Sequence, residues 1–202
     1  MSDEIDISEL DTADELIAER RGDPGQVPDD MEPWMGRLII GIDVFILWTG
    51  RIACLLLVPM LAVMVYEVVA RKLFVAPTLW AYDISRMICG AMFMAGAAYA
   101  LLKGVHIRAD FLYRLMPQKR QAAIDLALYI LFYFPALIVF FWISADYFWD
   151  SFIKGERSMD TTWAPLLWPG RIAMPMGALL LIIQGVSEAL KCVYAIRRGR
   201  WP

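Results

Sequence analysis

The chain has a single histidine, His106, and only three cysteines, Cys54, Cys89 and Cys192, with no CxxC spacing among them. A bis-histidine haem needs two axial imidazoles, and zinc or thiol–disulfide chemistry needs clustered ligands, so no cofactor or metal is expected. No Ser/His/Asp or HExxH arrangement can be assembled from the residues present, which makes an enzyme a poor reading. Internal repeats are absent. The first residues are acidic and polar rather than basic and then apolar, so no secretory signal is expected there.

What the chain has in abundance is apolar side chains: 59% of its 202 residues, with a mean hydropathy of +0.52. Soluble domains carry about 45–50%. Charge is divided unevenly. Residues 1–32 hold twelve Asp and Glu against Arg20 and Arg21, a net of −10, while the remainder is +7. An acidic tail thus precedes a basic, apolar body. Residues 1–35 are expected to be a solvated tail, with Ser8–Arg21 as a short helix at most, ended by Asp23-Pro24-Gly25 and Pro28.

A bilayer core of about 30 Å requires roughly 20 apolar residues of helix. Four stretches within residues 36–197 meet that length, at about 38–66, 84–102, 126–145 and 172–196, followed by a short tail at 198–202. None alternates as a membrane barrel strand would, and an open sheet leaves backbone groups unpaired in lipid. The fold class expected is therefore all-α, an integral membrane protein of four transmembrane helices. The first stretch is longer than a span needs and contains Asp43 and Arg51. Either Met35–Trp48 lies along the interface, or one long tilted helix crosses with Arg51 reaching for headgroups. Pro59 and Pro135 should each disturb their helices, because each removes a donor and crowds the carbonyl four residues back.

The loops set an expected orientation. With the N-terminus inside, the inner side receives ten cations: Arg37, Lys103, Arg108, Arg114, Lys119, Arg120, Lys191, Arg197, Arg198 and Arg200. The outer side receives five, Arg71, Lys72, Lys154, Arg157 and Arg171, which favours both termini in the cytoplasm. Trp80, Trp149, Trp163 and Trp168 then fall at the outer edge. The same asymmetry accounts for the basic residues without nucleic acid. The carboxylates Asp43, Glu67, Asp83, Asp125, Asp146 and Glu188 lie towards segment ends, leaving span centres neutral, which suits a protein that moves no substrate by itself.

Several groups are candidates for contact rather than catalysis. The second span carries Gly90, Ala91, Ala95 and Gly96, with further alanines at helical spacing. Small residues let a second helix approach closely, whether from this chain or a partner. Trp80, Asp83 and Arg86 stand at the mouth of that span: the carboxylate suits the helix N-terminus, and Arg86 one turn on can pair with it. They form either an interface anchor or a partner contact. Residues 148–171, with Gly155 and Ser158 among them, are too long for a tight turn and too apolar for a loose linker.

The sequence W-A-Y-D-I-S-R precedes the second span, and G-V-H-I-R-A-D-F-L-Y follows it, then L-M-P-Q-K-R, G-E-R-S and P-M-G-A-L-L-L-I-I-Q-G-V-S-E. Over about residues 38–196 this resembles the small membrane subunit of tripartite ATP-independent periplasmic (TRAP) transporters, the DctQ-like family. Gly104, His106, Arg108 and Asp110 belong to its most specific element. The family often has a Glu pair where this chain has Tyr82-Asp83, so one acidic position is kept. The resemblance implies a noncatalytic subunit in the bacterial inner membrane. It would brace a large, sodium-driven membrane subunit and help dock a periplasmic binding protein carrying organic acids. It also implies that His106 orders the inner turn between spans two and three. The rival expectation is an anchor subunit of an electron-transfer complex holding haem or quinone through His106.

Overall fold

The computed structural model describes residues 27, 28, 30–104 and 117–202. Ser8–Arg21, His106, Arg108 and Asp110 lie outside them. Helices α1 (Pro33–Leu55) and α2 (Leu57–Leu73) form one run, followed by α3 (Ala81–Leu102). Helix α4 (Gln118–Leu128) continues through a π-helical turn, Tyr129–Tyr133, into α5 (Phe134–Lys154). The short α6 (Trp168–Arg171) leads into α7 (Ala173–Arg198). Among the described residues there is no strand, only an isolated bridge between Arg157 and Leu166.

Four helical runs, Pro33–Leu73, Ala81–Leu102, Gln118–Lys154 and Trp168–Arg198, are long and apolar enough to span a membrane. They are all-α spans, as expected, but longer than hydropathy alone suggested. The first has 41 residues, about 60 Å of helix, twice the thickness of a bilayer core. The run is helical throughout Met35–Trp48 and packs along α3 and α7. Arg51 is exposed on this run, with its guanidinium 5.1 Å from the Trp48 ring centroid.

The interruptions fall where proline removes a donor. Pro59 cannot bond the Leu55 carbonyl, and α1 ends at Leu55, with the Leu56 amide shared between Ile52 and Ala53. Pro175 stands in the same relation to Arg171, the last residue of α6, where α6 gives way to α7. Pro135 cannot bond Leu131, and the preceding turn slips to π spacing, with the Phe134 amide on the Tyr129 carbonyl.

Helix α7 is the centre of the bundle and packs against α1, α3, α4 and α5. It does so through glycines. A Cβ on Gly177 would sit 2.5 Å from Met94 Cβ, and one on Gly185 would enter the Tyr133 ring. Tyr133 in turn donates to the Leu181 carbonyl at 2.8 Å, fixing α5 against α7. Gly50 gives α1 the same close approach to Tyr99 of α3. Ile46, Ala98, Leu102 and Leu180 form the core where these helices meet. Beyond Leu102 the bundle continues as α1, α4 and α7, closed by Met31, Met35, Ile39 and Tyr194. Most other large apolar side chains on these helices face outward, as a lipid-facing surface requires.

At this same end the segment before α1 is tied to the last turn of α7. Asp30 accepts from Tyr194 Oη at 2.7 Å and from Arg200 at 2.8 Å. The hydrogen bond from Tyr194, and then that from Arg200, hold the Asp30 carboxyl below its ordinary value. A depressed carboxylate pKa stabilises the tie above the ordinary carboxylate range, and the tie is lost as pH falls through the depressed value. Hydrogen exchange at Met31 and Glu32 should therefore be slow near neutrality and rise only in acid. In Asp30→Asn it should be fast at every pH.

Candidate functional site

Two polar clusters hold the helices in register, one at each end. The first lies beside the inner core, where α1 and α7 continue past α3. Asp43 is 1% exposed and sits in the middle of α1. It accepts from Ser187 Oγ at 2.7 Å, Lys191 Nζ at 2.8 Å and Gln184 Nε2 at 3.3 Å. Lys191 also bonds Glu188 at 3.1 Å, and Gln184 Nε2 lies 3.4 Å from the same carboxylate. The four α7 residues occur at i, i+3, i+4 and i+7, so they share one face, turned towards α1. A buried charge is tolerated when paired and hydrogen-bonded, and Lys191 serves two carboxylates here. The arrangement joins α1 to α7.

The second cluster is built on Asp83, 0% exposed in the first turn of α3. It accepts from Ser158 Oγ at 3.2 Å, from Thr161 Oγ1, and from Arg86 at 3.4 Å, while Arg86 also pairs with Asp160. Gly155 takes a left-handed φ of 59° and ends α5, letting the chain turn back over α3. The Ser158 amide then bonds the Pro165 carbonyl at 2.8 Å. The loop between α5 and α6 is thus pinned to α3 by a carboxylate 75 residues from Ser158. Asp83→Ala leaves two hydroxyls without their acceptor and should cost about 2 kcal/mol. The expected readout is faster proteolytic nicking across residues 156–164, with the spans intact.

The structure brings together Asp83, Arg86, Gly155 and Ser158 of the residues singled out in the sequence. Trp80 precedes α3 and stacks on Tyr66 at 5.7 Å, beside a loop closed by Glu67, which accepts from the Thr78 amide at 2.9 Å. Ala95 packs on the inner core. Ala91 is half-buried, whereas an added Cβ on Gly90 or Gly96 would meet nothing within 4 Å. Gly104 takes a φ of 70° directly after α3, with its amide on the Leu101 carbonyl. The sequence reading treated Asp43, Glu188 and Lys191 as groups near segment ends; the structure joins them in one buried network. The signal available was the stripe of Gln184, Ser187, Glu188 and Lys191 on an otherwise apolar helix.

These features define a polytopic helical membrane protein whose internal charges hold helices to one another. The family model for tripartite ATP-independent periplasmic transporters, DctQ component, matches residues 60–194, and the chain belongs to this family. Comparisons with curated proteins and with solved structures returned no match. The matched region contains the Asp83 cluster and the whole α7 stripe, while Asp43 lies before it.

Proposed function

We propose that this chain is the noncatalytic small subunit that braces the large membrane subunit of a sodium-driven TRAP carrier for organic acids. It resides in the bacterial inner membrane with both termini cytoplasmic, and its loop end helps receive the periplasmic binding protein. The observation that carries this reading is the use made of the buried charges. Asp43 and Asp83 are each held by side chains from distant parts of the chain, a use of buried charge that ties a bundle together. The outward faces carry large exposed apolar side chains such as Leu61, Val65, Phe132, Val139 and Ile143, as suits a body set in lipid beside another membrane protein. At the loop end Met159 is fully exposed and Trp163 is 45% exposed, a pair of apolar contacts for a soluble partner.

The test is co-expression with the large subunit, purification in mild detergent through a tag on this chain, and reconstitution. The large subunit should co-purify, and uptake should require the large subunit and the binding protein. Uptake by proteoliposomes containing this chain alone would overturn the proposal.

A further inference from the structure

A cleft of about 780 Å³ opens at the loop end, between the first turns of α3, the end of α5, and the loop and α6. Helices α3 and α5 each pack on α7 and scarcely on one another, so the slot between them has α7 as its back wall. Its apolar lining is Met87, Gly90, Leu167 and Met174. Gly90 is exposed on α3, and a Cβ there would stand in open space, so the slot extends over that helix face.

The charged lining differs in kind. Arg171, with its guanidinium 3.9 Å from the Tyr147 ring centroid, is held by Glu156. Arg86 is held by Asp160, and Asp83 behind it is satisfied by the Ser158 and Thr161 hydroxyls. Arg157 has no carboxylate among the described residues; its guanidinium donates to the Ala164 carbonyl at 3.2 Å. Among the described residues the cleft therefore offers one guanidinium without a carboxylate partner above an apolar floor; in the chain, Trp168 follows Leu167 of the lining and Trp163 precedes Ala164. Tryptophan at the ends of spans marks headgroup depth.

We propose that this cleft binds one anionic glycerophospholipid, with its phosphodiester on Arg157 and an acyl chain lying over Gly90 and Met174. A phosphodiester carries a single negative charge, which matches one unpaired guanidinium and forms charge-assisted, bidentate bonds with it. An acidic protein segment matches less well, because it would leave the apolar floor of Met87, Leu167 and Met174 unused. The site is independent of which partner the chain braces.

The experiment is native mass spectrometry of the full-length protein, delipidated and titrated with palmitoyl-oleoyl phosphatidylglycerol or the zwitterionic phosphatidylcholine of the same chains. The protein should retain one phosphatidylglycerol at concentrations where phosphatidylcholine is not retained. Arg157→Gln should weaken retention about tenfold, the scale expected for one charge-assisted contact. Gly90→Leu fills the floor and should weaken it to a similar degree, whereas Lys72→Gln, outside the cleft, should leave it unchanged. Neither cleft variant should unfold before the parent, since Arg157 and Gly90 are exposed and leucine has the higher helix propensity at position 90. Retention that is the same in parent, Arg157→Gln and Gly90→Leu overturns the proposal. So does equal competition by deacylated glycerophosphoglycerol or inorganic phosphate, because the acyl chain would then contribute nothing. Loss of binding-protein affinity in Arg157→Gln with lipid retention unchanged would assign the cleft to a protein partner instead, and would equally overturn it.

Discussion

Asp43→Ala should destabilise the folded bundle by about 3–5 kcal/mol, the range measured when one partner of a buried ion pair is deleted. The carboxylate is 1% exposed, and it accepts from Ser187, Gln184 and Lys191 at once. Removing it leaves the Ser187 hydroxyl without that acceptor, and it takes one of two carboxylates from Gln184 and from a lysine whose side chain is only 16% exposed. Lys191→Met should do comparable damage from the other side, because Asp43 and Glu188 then face one another across α1 and α7 without the cation. The double variant Asp43→Leu with Lys191→Met should recover part of the loss, since it removes opposite charges together. Unfolding in mild detergent, followed by tryptophan fluorescence, reads all three. A single Asp43→Ala variant with the parental midpoint would show that the network contributes nothing to joining α1 and α7. Because the four α7 residues lie in the region matched by the DctQ model and Asp43 lies before it, the experiment also asks whether α1 is a working part of the subunit.

The spans and the family were legible because both depend on local runs of sequence. Twenty apolar residues identify a span whatever they pack against, and G-V-H-I-R-A-D or W-A-Y-D-I-S-R can be recognised in isolation. Helix ends were less legible, for a physical reason. Hydropathy falls where charged side chains begin, but α1 already starts at Pro33 and α5 runs on to Lys154, whose ammonium pairs with Asp150 one turn back. The Asp83 cluster was half visible: the pairing with Arg86 is local, whereas Ser158 and Thr161 arrive from a loop folded back by Gly155. The Asp43 network was the hardest to see. Its α7 half forms a regular polar stripe, but the carboxylate it serves lies 148 residues before Lys191, and no local pattern connects them.

Small residues gave the same kind of ambiguity, and substitution should resolve it sharply. Gly177→Ala should cost about 1–3 kcal/mol, the usual penalty of overpacking. The new methyl would lie 2.5 Å from Met94 Cβ and 3.2 Å from Met94 Cα. Neither atom is the free end of a flexible chain, so α3 itself has to move away from α7. Membrane helices associate by close van der Waals contact rather than by expelling water, and a widened gap forfeits that attraction along the whole contact. Gly185→Ala should act similarly, by pushing the Tyr133 ring and stretching its bond to the Leu181 carbonyl. Gly90→Ala and Gly96→Ala form the contrast. Both glycines are interior to α3 and have open space where a Cβ would go, so alanine should be neutral or stabilising by up to about 1 kcal/mol through helix propensity. The same substitution thus carries opposite signs on two apolar helices. The open glycines remain the ones with room for a neighbour from outside the chain. Equal unfolding midpoints for Gly177→Ala and Gly90→Ala would refute the close packing of α3 on α7. A Gly96→Ala variant that unfolds like the parent yet loses the co-purifying large subunit would place the partner helix on that face of α3.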